Sequence, residues 1–255
     1  MNPLDAKQKV DELVGFLKTA FGKAGFERAV IAMSGGVDSS TSATLAVQAL
    51  GANYVYPLLL PHGNLNTGAV VDARGMINAL GIPQKNITLI NIQPLVDPII
   101  SLDPKMDQIR QGNIMARVRM IVVFDNAKKR NALVVGTENK TEYLLGYYTR
   151  FGDEGSDIEP LRTLYKTQVY ELARFLKIPE HIITKTPTAG LWEGQTDEGE
   201  FGFTYKEADE ILSLLVDEKK SVEEINTQGF DAAIVEKVVK RMKDNQFKHH
   251  LPILP

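Results

Sequence analysis

The chain has 255 residues, 44% of them apolar, and a formal net charge of −3. That length suits one domain spanning 1–255, or at most two small ones, with enough apolar residues for a full core. The absence of cysteine excludes a disulfide framework, a thiolate zinc site and a thiolate nucleophile; the interspersed charges offer no basic face to nucleic acid, and no apolar run approaches a membrane span. The start, Met1-Asn-Pro-Leu-Asp-Ala-Lys7, has no apolar targeting region, so a cytoplasmic protein is expected.

Asn2-Pro3 reads as a helix cap followed by proline at the first helical position. Val10, Leu13, Val14, Leu17, Ala20 and Phe21 recur at helical spacing, and Gly22 and Gly25 mark the helix end. Ala29 to Met33 reads as the first strand and Asp38 to Leu50 as the next helix. Tyr54 to Leu60 is a continuous apolar run, as expected of a strand covered on both faces. Further helices are expected over 67–80 and 108–129, and further strands over 87–92 and 132–135. This alternation predicts an α/β fold: a doubly wound, mainly parallel sheet with helices on both faces. After Gly136 the pattern changes. Residues 137–160 and 185–204 read as long irregular segments between helices at 166–177 and 205–216. Thr204-Tyr-Lys-Glu207 and Ser221-Val-Glu-Glu224 spell capping boxes, and a last helix is expected over 231–243 before a polar tail.

The chemistry is concentrated where the first strand ends. Ala29-Val-Ile-Ala-Met-Ser-Gly-Gly-Val-Asp-Ser-Ser40 is strand, glycine turn and helix in immediate succession. Two glycines let backbone approach a ligand closely, and the free N–H groups of the following helix point at an anion. The segment is not a Walker A loop, because Val37-Asp38 stands where that pattern needs Gly-Lys. A carboxylate at Asp38 beside a phosphate cradle is repulsive unless a divalent cation lies between, so the loop points to a metal–nucleotide complex. Ligands bind at the carboxyl edge of a parallel sheet, and the loop after the fourth strand, Gly136-Thr-Glu-Asn-Lys-Thr-Glu142, reaches that same edge. Asp38 and Glu142 together make a candidate Mg²⁺ site. Lys166 brings a cation to a helix start, against the helix dipole, which an anionic partner would explain. Thr188 lies between Pro187 and Ala189-Gly190, so its hydroxyl can be held in place. Trp192 is expected in the core rather than as a lid. His62 follows a strand end and can meet a ligand; His181 is expected at the surface, and His249 and His250 lie in the tail. No histidine spacing fits a metal site, and no Ser/His/Asp set is recognisable.

The spelling Ser34-Gly-Gly-Val-Asp-Ser39 resembles the pyrophosphate loop of the ATP pyrophosphatases. With Asn113-Ile-Met-Ala-Arg-Val-Arg-Met120, the 136–142 loop, Tyr148-Thr-Arg-Phe-Gly-Asp153, Gly155-Ser-Asp-Ile158 and Lys185-Thr-Pro-Thr-Ala-Gly-Leu191, nearly the whole chain resembles ammonia-dependent NAD⁺ synthetase. The resemblance implies the Rossmann-like fold of the adenine nucleotide alpha hydrolases. It also implies an ATP-dependent amidation of deamido-NAD⁺ by ammonia through an acyl-adenylate. On this resemblance Ala32, Met33, Ser34, Gly35, Gly36, Val37, Asp38 and Ser39 are the ATP loop; Thr137, Lys166 and Thr188 also contact ATP; and Asp38 and Glu142 hold Mg²⁺. Arg117, Arg150, Asp157 and Lys248 hold deamido-NAD⁺, and Asp153 helps bind or deprotonate ammonium. Arginine stands at 150 where the family usually has lysine, replacing a point charge by a planar fork. The family forms homodimers, and the helix over 108–129 is the candidate interface. Transfer-RNA thiolases generally need cysteines, and lysidine and GMP synthetases lack this set of later motifs. A glutamine-dependent version needs an amidase domain, so free ammonia, or ammonia from a partner, is the expected donor. A nucleotide sensor would not need a second metal carboxylate such as Glu142.

Overall fold

The structure, a computed structural model, describes residues 4–249. Asn2 and Pro3, expected to cap the first helix, lie outside them, as does His250. Helix α1 (Ala6–Ala24) is capped instead by Asp5, whose carboxylate accepts the Gln8 N–H, and it buries Val10, Leu13, Leu17 and Phe21. Gly22 lies inside α1, which ends only at Gly25.

Four strands, β1 (Ala29–Ala32), β2 (Val55–Leu59), β3 (Thr88–Leu89) and β4 (Leu133–Val134), form one parallel sheet in the order β3-β2-β1-β4. Ala29 pairs with Val55 on one side and with Leu133 on the other. The chain therefore runs outward from β1 to β2 and β3, then crosses to the opposite side of β1 for β4. That reversal opens a crevice between the carboxyl ends of β1 and β4. The expected strand over 87–92 is cut to two paired residues, Thr88 and Leu89, at the edge of the sheet. Beyond Leu89, which is exposed, the chain still donates from Ile90 and Ile92 to the Leu59 and Pro61 carbonyls as it turns into α4 (Gln93–Ile100).

Both sheet faces are apolar, as the continuous runs require. Ala29, Ile31, Val55 and Leu59 face α1, α2 (Val37–Leu50) and α3 (Thr67–Ala79), whereas Val30, Leu58 and Val134 face α4 and α5 (Gln108–Arg130). Helix α7 (Lys166–Phe175) packs on α1 and α2 and continues the first layer. A third apolar cluster joins α6 (Lys140–Leu145), α10 (Tyr205–Leu212) and α12 (Ala232–Asn245) through Leu145, Tyr165, Ile211 and Val238. No described helix is long and apolar enough to cross a membrane.

The segments expected to be irregular carry short helices: α6 in 137–160, and α9 (Asp197–Phe201) in 185–204. The helix expected over 205–216 is α-helical only to Leu212 and then widens into a π turn through Asp217. Both predicted capping boxes form, at Thr204–Glu207 on α10 and at Ser221–Glu224 on α11 (Val222–Asn226). Trp192 does not anchor the core: it is half-buried on the 185–196 loop and belongs to none of the three apolar clusters. His181 lies exposed in α8 (Glu180–Ile183), 3.7 Å from Asp72.

Candidate active site

β1 stops at Ala32 because the chain must turn, not because pairing fails: the buried Met33 still donates its N–H to the Leu58 carbonyl at 2.8 Å. Ser34-Gly35-Gly36 makes the turn. Gly35 has φ +75, and a Cβ there would lie 2.3 Å from the Ala69 carbonyl oxygen of α3, so no other residue fits. Gly36 precedes α2 in an extended conformation, and no side chain caps that helix. The N–H groups of its first turn are left to an outside acceptor. The turn is braced from within. Gly36 N–H donates to Ser34 Oγ at 3.3 Å, Ser34 Oγ lies 3.1 Å from Ser39 Oγ, and Ser39 Oγ donates to the Gly36 carbonyl at 3.1 Å. Ser39, Ser40, Thr41, Ser42 and Ala43 are all buried, and their small volumes let α2 sit close against the sheet.

The turn after β4 is built from side chains. Gly136 leaves room for Glu159, whose Oε1 would lie 1.9 Å from a Cβ at 136. Asn139 then starts α6 with a full capping box: its Oδ1 accepts the Glu142 N–H at 3.0 Å, and Glu142 Oε2 accepts the Asn139 N–H at 3.4 Å. The Asn139 amide also donates to Asp38 Oδ1 at 3.0 Å and so joins the two turns. Lys166, at the first position of α7, completes the junction. Its Nζ lies 2.6 Å from Asp38 Oδ2 and 3.2 Å from Glu142 Oε1, and its side chain is 3% exposed. Burial alone would lower the Lys166 pKa, but the Asp38 and Glu142 carboxylates outweigh it and hold the ammonium charged well above its usual range. Burial raises the Glu142 carboxyl, and Lys166 pulls it back. Glu142 is thus at a helix start but not a solvated charge, and Lys166 is no ordinary surface lysine.

Two carboxylates converging on one cationic point, with hard oxygen donors, fit a divalent ion that takes few protein ligands and completes its shell with phosphate oxygens and water. Among the described residues no cluster of three or more acids and histidines offers an all-protein metal cage.

The other expected site residues fall into two further groups. Thr137 is half-buried on the same turn, between Gly136 and Glu138. Thr188 is exposed, with its Oγ1 accepting the Gly190 N–H at 3.0 Å. Its loop is tied down by the buried Asp197, whose Oδ1 accepts the Ala189 N–H at 3.0 Å and the Tyr147 hydroxyl at 2.9 Å. Beside Tyr143 of α6 lies a cavity of about 490 Å³ lined also by Tyr148, Phe151, Glu154, Arg162, Lys248 and His249; of the expected substrate residues its lining includes Lys248 but not Arg117, Arg150 or Asp157. Lys248 Nζ donates to the Gly146 and Tyr148 carbonyls at 2.6 and 3.1 Å. Arg150 lies over the Phe151 and Phe247 rings, and Arg117 Nε donates to the Arg150 carbonyl at 3.2 Å. Asp153 Oδ1 accepts the Thr149 N–H at 2.9 Å, and Asp157 Oδ2 accepts the Val134 N–H at 2.7 Å along the edge of β4. Neither acid touches the Asp38–Lys166–Glu142 cluster. His62 pairs with Asp97 at 3.2 Å.

Two residues escaped the sequence reading. Asn139 stood inside a recognised motif, but its bridging role depends on Asp38, 101 positions away. Glu138 looks like any acid in a polar loop, yet its side chain is 5% exposed. Arg162 Nη2 approaches it to 2.9 Å, but neither carboxylate oxygen receives a well-directed hydrogen bond, and burial pushes its pKa up to about 9.

The model of a family described as NAD synthase matches residues 9–252. The NH(3)-dependent NAD(+) synthetase of Pyrococcus furiosus is 46% identical over 100% of this chain and 96% of its own. That of Fusobacterium nucleatum is 43% identical over 100% and 98%. Among solved structures, the NMN synthetase from Francisella tularensis superposes with a TM-score of 0.87 at 34% identity, covering 99% of both chains. The NH3-dependent NAD synthetase from Campylobacter jejuni, in complex with the nitrate ion, gives 0.83 at 29% identity, covering 99% of this chain and 100% of its own.

Proposed function

We infer, from the premise that this chain belongs to the NAD synthase family, that it is a ligase forming a C–N bond: it amidates deamido-NAD⁺ with ammonia and ATP to give NAD⁺, AMP and pyrophosphate. One observation carries the assignment of chemistry to residues. The uncapped start of α2 lies beside two carboxylates that meet on a single buried ammonium.

The reaction has two steps. A carboxylate oxygen of deamido-NAD⁺ attacks the α-phosphorus of ATP; the new P–O bond forms as the bond to the bridging α–β oxygen breaks and pyrophosphate leaves. Ammonia then attacks the acyl carbon, AMP leaves with the acyl oxygen bond pair, and the nitrogen gives up a proton. The carboxylate oxygen, a poor leaving group, has become part of AMP, a good one. What remains for the protein is positioning and charge balance. In this reading the 32–39 turn cradles phosphate through its N–H groups, with Thr137 and Thr188 also on ATP. Asp38 and Glu142 would hold Mg²⁺, which would offset the charge of the departing pyrophosphate, and Lys166, now held by those two acids, would then be free to pair with phosphate. Arg117, Arg150, Asp157 and Lys248 hold the dinucleotide. The 490 Å³ cavity, lined by Tyr143, Tyr148, Phe151, Arg162 and Lys248 together with Glu154, supports a ring and a phosphate of the substrate beside Lys248. Asp153 serves ammonium. A homodimer across α5 is the proposed assembly; that helix exposes Ile109 and Ile121. The cytoplasm is the proposed location.

The test is incubation with ATP, Mg²⁺, deamido-NAD⁺ and ammonium, with AMP and NAD⁺ as the expected products. ADP, or no product, would contradict the reading. A second reading is favoured by the Francisella structure: the acid substrate is the mononucleotide, and the product is NMN. A parallel incubation with nicotinic acid mononucleotide decides between them by relative kcat/KM.

A further inference from the structure

We propose that Asp209, a carboxylate on α10 outside the site just described, is the positioning residue that sets Glu142 and Lys166 for the reaction; this rests on the roles given to those two side chains above. Asp209 is 0% exposed. Its Oδ1 accepts the Thr141 hydroxyl, and its Oδ2 accepts both the N–H and the hydroxyl of Thr167 at 2.7 Å each. Thr141 Oγ1 in turn accepts the Lys166 N–H at 2.9 Å. Each anchored residue is the chain neighbour of a functional one: Thr141 precedes Glu142, and Thr167 follows Lys166. A single buried group therefore fixes the first turns of α6 and α7 relative to each other, at the point where their side chains must meet Asp38.

The choice of residue is costly unless it serves such an end. Asp209 lies among Ala208, Ile211 and Leu212, all fully buried. Among the described residues no lysine, arginine or histidine pairs with it directly. Burial raises the Asp209 carboxyl, and the hydrogen bonds from Thr141 and Thr167, with the nearby Lys166 charge, pull it back; a buried carboxylate with no direct ion pair needs such strong, directed hydrogen bonds. It finds them at the start of α7, where unpaired N–H groups and the helix dipole both favour an anion. Charge-assisted bonds of this kind hold geometry tightly, and a displacement near 1 Å at a reacting group costs about 10²-fold in rate. An amide at 209 cannot do the same. Its one oxygen can serve Thr167, but its NH₂ then faces Thr141 Oγ1 as a second donor, and the Thr141 hydroxyl proton, which Asp209 Oδ1 accepts, loses its acceptor.

The experiment compares Asp209→Asn, Thr141→Val and Thr141→Ser with the native full-length chain. Far-UV circular dichroism and melting temperature establish folding. Calorimetric titration with Mg·ATP and steady-state amidation follow. For Asp209→Asn and Thr141→Val, kcat is expected to fall about 10²-fold and the half-saturating Mg²⁺ concentration to rise, while the KM for deamido-NAD⁺ stays within about threefold. Thr141→Ser, which keeps the hydroxyl, is expected to stay within about threefold of the native enzyme in every constant. Loss of stability alone would lower the folded fraction without splitting kcat from KM or moving the Mg²⁺ requirement. A folded Asp209→Asn with native kcat and native Mg·ATP affinity would overturn the proposal, as would Thr141→Ser failing as badly as Thr141→Val. If Asp209→Asn does not fold, the two threonine variants decide. If the native chain makes no amide product, the assigned reaction fails. The Mg·ATP titrations still test Asp209, with affinity expected to drop about 10-fold or more in Thr141→Val and to persist in Thr141→Ser.

Discussion

Two turns leave the same edge of the same sheet and do opposite things. The turn after β1 is glycine, and the helix behind it is uncapped; the turn after β4 is side chain, and the helix behind it has both halves of a capping box. An uncapped helix start offers N–H groups to an anion, whereas a capped one has satisfied its own and presents the capping acid instead. One turn is thereby suited to phosphate and the other to a cation. Asn139 and Lys166 tie the two together. The lesson is that strand–turn–helix geometry at a switch point is neutral; capping chemistry decides what binds there.

The most severe way to break the contrast is to put a side chain into the glycine turn. Gly35→Ala forces a left-handed conformation and a Cβ onto the Ala69 carbonyl. We expect about 2–4 kcal/mol of lost stability and no measurable Mg·ATP binding by calorimetry. Gly15→Ala is the control, since nothing lies within 4 Å of a Cβ there and it sits inside α1. It should gain about 0.5–1 kcal/mol by chemical denaturation and leave activity untouched.

Less severe is removal of the cap on the other side. Asn139→Ala loses the α6 cap, worth about 1 kcal/mol, and also the donor to Asp38, so kcat should fall roughly 10-fold or more. Ser221→Ala removes the same kind of cap from α11, away from the site. It should cost about as much stability, roughly 1 kcal/mol, and no rate. Equal rates for the two variants would reduce Asn139 to an ordinary cap.

The smallest effect sharpens the electrostatics of the β4 turn. Glu138 has a folded pKa near 9 against an ordinary value of 4.5, and Glu159 is pushed up to about 7, in both cases chiefly by burial. Between the ordinary and the raised value the native state holds a proton that the unfolded chain has released, so stability declines as pH climbs through that window. Glu138→Gln removes the larger of the two proton linkages. The variant should gain on the native chain as pH rises from 5 toward 9, by about 1–3 kcal/mol at the top of the range. Melting curves across that range check it; a gap independent of pH would mean Glu138 is ionised and paired with Arg162.

The sequence announces what is local. The 34–39 turn, the capping boxes at Thr204 and Ser221, and the helical periodicity of α1 all lie within a few residues of one another. The meeting of Asp38 with Glu142 was also legible, because strand alternation implies a switch point. What was not legible depends on partners chosen by the fold. Asn139 and Asp209 look like loop and surface residues until their contacts 101 and 68 positions away are known. Helices α6 and α9 were missed because six and five residues are too few to show a period. The 87–92 run reads as one longer strand because Ile90 and Ile92 are apolar and still donate to the Leu59 and Pro61 carbonyls, but the chain there is already turning into α4. Trp192 misled because a large aromatic side chain usually means core, and its loop leaves it half-covered.

The most direct measurement is a crystal structure with Mn²⁺ and a non-cleavable ATP analogue, located by anomalous scattering. One manganese peak within coordinating distance of both Asp38 and Glu142, touching the triphosphate, with Lys166 turned onto phosphate, is the result this account predicts. A peak bound by phosphate alone, with Lys166 still between the two acids, would contradict it.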